Sequence, residues 1–157
     1  MTKKSQVLRR PRTYVLNAVV AAGVVSQFPL QIDQGSDFEW VKRIASSSDN
    51  TGAVLGFRVG IQDSASGRQL IICNPPPGVT IRPDTCFAAN YFGSAKAPML
   101  LVQPYVFKRG TTVWITIDNS FFTNTGVTVE IVFDGFDLVQ QDTQGRGAAG
   151  QLVSMAA

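Results

Sequence analysis

Two stretches of seven residues limit the folds open to this chain more than any other feature. In Thr112-Val-Trp-Ile-Thr-Ile-Asp118, Val113, Ile115 and Ile117 fall on one face and Thr112, Trp114 and Thr116 on the other. In Val127-Thr-Val-Glu-Ile-Val-Phe133, Val127, Val129, Ile131 and Phe133 take one face and Thr128 and Glu130 the other. A period of two belongs to a pleated strand with one face buried, and an α-helix cannot sort these residues that way. The pattern recurs: β-type runs at 14–21, 28–32, 38–44, 54–62, 68–73, 99–107, 111–118 and 127–138 are separated by Gly, Pro, Asn, Asp and Ser. No stretch longer than about two turns shows a 3.6-residue period with caps. The expectation is an all-β fold, an antiparallel β-sandwich of jelly-roll type with about eight strands. Doubly wound nucleotide-binding folds are excluded, because their parallel strands need crossover helices.

At 157 residues the chain is one domain, large enough to bury a core without a metal. Its charge is unevenly placed. Lys3, Lys4, Arg9, Arg10 and Arg12 precede the first acid, Asp33. Taking these five from the 14 basic residues leaves nine against 11 acidic ones, a remainder of about −2. The basicity therefore reads as an N-terminal arm over 1–12, followed by a β-sandwich over 13–139 and a Gly/Gln-rich C-terminal arm over 140–157. That last arm, from Gln140-Gln-Asp-Thr-Gln-Gly-Arg-Gly-Ala-Ala-Gly150 onward, has no means to fold alone. The N-terminal arm would dock electrostatically on an acidic protein surface. Nucleic acid is the less favoured target, since no aromatic interleaves the basic residues before Tyr14.

The basic start and the apolar run Tyr14-Val-Leu-Asn-Ala-Val-Val-Ala-Ala-Gly-Val-Val25 have the outline of a secretory signal. Asn17 interrupts that run and its alternation suits a strand, which is the reading preferred. The run is too short to span a bilayer, and no membrane association is expected.

Chemistry finds little support. The chain has no histidine, which removes the commonest general base and metal ligand. Its two cysteines, Cys73 and Cys86, cannot make a closed four-ligand zinc site. They read as two free, buried thiols, with a disulfide as the alternative. Gly145-Arg-Gly-Ala-Ala-Gly150 matches a dinucleotide fingerprint in letters only, because no helix can follow in the seven residues left. Asp33, Asp37 and Glu39, and Asp134 with Asp137, are paired acids of the kind glycosidases and calcium sites use, but turn formation explains Asp33, Asp37 and Asp134 as well. No catalytic residue, cofactor or metal is expected.

The irregular stretch 74–98 opens with Pro75-Pro-Pro77 and contains Phe87, Tyr91 and Phe92. Three prolines cannot sit in a central strand. A long aromatic loop is either a contact surface or a plug on one end of the sandwich. As contact residues, Lys3, Lys4, Arg9, Arg10, Arg12 and Arg146 of the arms and Phe87, Tyr91 and Phe92 of the loop are singled out.

The order of landmarks resembles small virion proteins of tailed bacteriophages. The residues carrying this are Phe28-Pro-Leu-Gln-Ile-Asp33, Gly35-Ser-Asp-Phe-Glu-Trp40, Val59-Gly-Ile-Gln-Asp-Ser64 and Gly67-Arg-Gln-Leu70, then Tyr91-Phe-Gly93, Ala97-Pro-Met-Leu-Leu101, Gly110-Thr-Thr-Val-Trp114 and Asp118-Asn-Ser120. The likeness covers residues 25–139 and is carried by structural punctuation. It implies a jelly-roll capsid cement (decoration) protein or a related neck or tail component, assembled in the bacterial cytoplasm and resident in the virion. Such a protein binds across joints between major capsid subunits, forms homo-oligomers and performs no catalysis. Two rival readings remain: a carbohydrate- or receptor-binding sandwich, and a glycosidase using Asp33 and Glu39.

Overall fold

The computed structural model describes residues 6–48, 56–72, 84–120 and 125–141. Its elements are β1 (Gln6–Val20), β2 (Val25–Gln31), β3 (Asp37–Ser48), β4 (Arg58–Asp63), β5 (Arg68–Gln69), β6 (Cys86–Phe87), the single turn α1 (Ala88–Tyr91), β7 (Met99–Phe107), β8 (Thr112–Asp118) and β9 (Val127–Gln141). The strands form two antiparallel sheets. One has the order β1-β9-β3-β7; the other has β2-β8-β4-β5, with β6 also on β4. β5 and β6 pair with different stretches of β4, so together they act as one interrupted edge strand. With those two counted as one, only the β4–β5 connection stays within a sheet, and the last strand lies beside the first. This is the jelly-roll strand order, and the chain is an all-β sandwich as its alternation predicts.

The two diagnostic runs behave as their pattern requires. Val113, Ile115 and Ile117 of β8 and Val127, Val129, Ile131 and Phe133 of β9 are buried in a single core shared by both sheets. Phe38, Trp40 and Phe107 join them, with Trp40 and Phe133 ring centroids 4.7 Å apart. Thr128 and Glu130 face solvent.

Several boundaries differ from expectation. β1 does not begin at residue 14 but at Gln6, and it pairs without a break from Gln6↔Gln141 to Val20↔Val127. Residues 6–12 are therefore sheet and not a free arm. The body also reaches Gln141 rather than stopping at 139. The reason is a ladder: β9 is long enough to template β1 along its whole length. Residues 1–5 and 142–157, with Lys3, Lys4 and Arg146, lie outside the described residues. The expected strand 68–73 is reduced to Arg68–Gln69 among its described positions.

Cys86 is disulfide-bonded, which corrects the reading of two free thiols. It sits nearly buried in β6 opposite Val59. The sequence holds one other cysteine, Cys73, which lies outside the described residues.

Candidate functional site

Arg9, Arg10 and Arg12, singled out as contact residues, are committed within their own chain. Arg9 pairs with Glu39, and its guanidinium lies 4.4 Å over the Phe136 ring. Arg10 Nη2 donates to Asp137 Oδ2 at 3.0 Å. Arg12 Nη2 reaches Asp33 Oδ2 at 3.4 Å and its Nη1 stands 4.0 Å from Asp137 Oδ2. Each acid belongs to a segment far away in sequence, so neutralisation could not be read locally. Asp137 is the deepest of them: its carboxylate is fully buried, and Oδ1 accepts no hydrogen bond.

The aromatic loop splits between its two readings. Phe92 is buried at 5% exposure and packs 5.6 Å from Tyr91. Tyr91 is half-buried; its hydroxyl donates to Leu70 O at 3.2 Å, and Arg43 lies 4.1 Å over its ring. These two act as a plug against the core. Phe87 faces outward from β6, beneath the Arg58 guanidinium.

The carboxylates do not converge. Asp33 accepts the Gly35 N–H at 2.9 Å, an Asx turn of the kind the sequence suggests. Asp37 accepts the Arg109 N–H at 2.9 Å and Lys108 Nζ at 3.1 Å. Burial pushes its pKa up, but these donors and the adjacent positive charges outweigh that and hold it below the usual carboxylate range. Asp134 takes Thr13 Oγ1 at 3.0 Å and Lys42 at 3.6 Å. A cleft of about 550 Å³ opens beside Asp37, between Gly35–Ser36, Lys108–Arg109 and Leu138–Gln140. Among the described residues Asp37 is the one carboxylate lining it, and neither Asp33 nor Glu39 does so. Among the described residues no group of three or more His, Cys, Asp or Glu side chains could hold a metal. No helix among them is long and apolar enough to cross a membrane.

What the structure adds is an exposed apolar edge. β7 pairs with β3 at Phe107↔Phe38, Val106↔Glu39 and Tyr105↔Trp40, then resumes at Leu100↔Lys42 and Met99↔Arg43. Residues 101–104 thus stand opposite the single residue Val41, and they are extruded from the ladder. Pro104 supplies a local cause, since it has no N–H to donate. On β3 the same break is bridged by the Trp40 indole N–H, which donates to Lys42 O at 2.7 Å. On the other side of β3, Gly135 lets β9 pass: a Cβ there would lie 1.9 Å from Glu39 O. The extrusion carries Val102 at 105% relative exposure, with Leu100 at 59% beside it and Val106 exposed further along.

The opposite edge of this sheet is β1, which among the described residues has no strand on its free side and exposes Val7, Leu8, Val15 and Val19. Sequence reasoning missed both edges. The apolar, strand-like composition of 99–107 concealed the extrusion, and Pro104 was the one signal that could have revealed it.

Comparison with protein-family models, with curated proteins and with solved structures finds no match to this chain.

Proposed function

We propose that this chain is a non-enzymatic structural protein of a bacteriophage particle, a capsid cement (decoration) protein that bridges major capsid subunits, with a neck or tail component as the alternative assignment. The observation carrying this reading is the extruded segment of β7. A closed sandwich with a complete core gains nothing from presenting Leu100, Val102 and Val106 to water, whereas an assembling subunit does once a neighbour covers them. The sandwich supplies a rigid platform, and its paired charges leave no uncompensated basic stripe on β1 to favour nucleic acid as the partner. The partners are other virion subunits and further copies of this chain, whose many weak contacts act together.

The carbohydrate- or receptor-binding reading is less well supported. Phe92 is buried, and Tyr91 and Trp114 are half-buried, so these three form no exposed stacking platform. The glycosidase reading gains no support from the cleft beside Asp37, which neither Asp33 nor Glu39 lines among the described residues.

Particles purified from the source phage, analysed by mass spectrometry and by electron microscopy with an antibody to this chain, test the proposal. The expected result is many copies per particle, labelled on the head surface. Labelling confined to the neck or tail selects the alternative assignment, and absence from purified particles overturns both.

A further inference from the structure

We infer that two copies of this chain pair through the free edges of their β1 strands, antiparallel about a two-fold axis at Leu16. The inference deepens the assembly reading by naming one partner, a second copy.

β1 ends its sheet, and among the described residues no backbone group bonds it on the side away from β9. A row of unpaired N–H and C=O groups is a template for another strand. Natural edges are guarded by proline and charge. Here both guards lie in one half of the strand, at Arg9, Arg10, Pro11 and Arg12; residues 13–20 contain neither. A proline in a paired strand sits with its nitrogen toward the open side. By the alternation of an antiparallel ladder, Thr13, Val15, Asn17 and Val19 then direct their N–H and C=O groups outward too. Outward-facing side chains in this half include Val15 at 46% exposure and Val19 at 74%.

Charge and geometry select the partner. An uncharged half-strand pairs at no electrostatic cost with another uncharged half-strand, and this chain presents one of matching length. With the axis at Leu16, Val15 faces Asn17 of the second copy and Thr13 faces Val19, so every outward N–H meets a carbonyl and Pro11 falls beyond the pairing. The arginines of the two copies go to opposite ends of the shared ladder. An axis near Pro11 would instead oppose arginine to arginine and lose bonds at the proline. The two β1-β9-β3-β7 sheets become one continuous eight-stranded sheet, an isologous contact of the kind closed dimers use.

Sedimentation velocity of the full chain tests this directly, the expected species having twice the 16.9 kDa chain mass. Asn17→Pro removes an outward N–H without touching the β9 ladder, so it should weaken dimerisation by about tenfold or more while circular dichroism stays unchanged. Mixing Val15→Cys with Asn17→Cys chains should give a mixed disulfide-linked dimer in preference to either symmetric one. A wild-type chain that remains a monomer at its highest soluble concentration overturns the inference. So does a Val15→Cys chain that links chiefly to itself, because that places the axis elsewhere. A monomer still found in virions would leave the assembly reading intact, and a dimer absent from virions would do the reverse.

Discussion

The Tyr105 hydroxyl donates to Asp63 Oδ2 at 2.7 Å, joining the β7 edge of one sheet to the β4–β5 turn of the other. Asp63 is buried and also accepts from Ser66 Oγ at 3.1 Å and from the Ala65 N–H at 3.0 Å. The Tyr105 ring packs edge-on to Phe107 at 4.9 Å. This clamp holds β7 just where its pairing with β3 is about to break.

Tyr105→Phe keeps the ring and removes the donor. Because a buried carboxylate loses one of three partners, a stability loss of about 1–2 kcal/mol is expected in urea denaturation. An unchanged midpoint would mean that the clamp contributes nothing net.

The same pair sets a pH dependence. Burial is the main cause raising the Tyr105 pKa, and its bond to Asp63 adds to it. The fold therefore favours the protonated phenol. Its contribution is complete below the unfolded value of about 10 and is lost as pH rises through the folded value. Thermal scans between about pH 9 and 11 should show wild type converging on Tyr105→Phe toward the alkaline end. Asp37 acts in the opposite sense: with a lowered pKa, its contribution holds above 3.8 and disappears as pH falls through the folded value. Asp37→Asn should flatten the acid limb slightly, since the group is partly exposed.

Gly135→Ala forces a methyl against Glu39 O, a backbone atom that cannot move without shifting β3. A loss of about 2–4 kcal/mol is expected, measured by the same denaturation. Gly35→Ala, where the nearest atom to a Cβ is 3.5 Å away, is the control and should cost far less.

Arg10→Ala takes the nearest cation from the buried Asp137 carboxylate, leaving Arg12 at 4.0 Å. Destabilisation of about 1–3 kcal/mol is expected, and Arg10→Ala combined with Asp137→Asn should recover part of it. A double-mutant cycle with no coupling would return residues 6–12 to the role of a passive strand end.

Val102→Asp separates folding from assembly. The side chain is wholly exposed, so the melting temperature should stay within about 2 °C of wild type while incorporation into particles falls. Normal incorporation would remove the extruded segment from the proposed contact.

The central strands were legible because burial on one face writes itself into the sequence with a period of two, as at Thr112–Asp118 and Val127–Phe133. The extent of β1 was not. Arg9, Arg10 and Arg12 read as a solvated run until Glu39, Asp137 and Asp33 are brought to them from positions up to 127 residues away. The turn chemistry of Asp33 was visible in Asp33-Gln-Gly-Ser36, because an Asx turn is a local event. The extruded segment was hidden for the opposite reason: Leu101-Val-Gln103 lies inside a run of strand composition, and what leaves it out of the ladder is the spacing of the flanking partners on β3.

Gln6 lies directly opposite Gln141, and the β1–β9 ladder continues from that pair for fifteen rungs. Tension applied between these two residues would therefore open the ladder like a zip, one rung after another, beginning with the stretch reinforced by Arg9, Arg10 and Arg12. Tension applied across the sheets at Tyr105 and Asp63 would load packed faces together. The molecule is mechanically anisotropic: weak when its first and last strands are drawn apart at that end, and stiff across the sandwich.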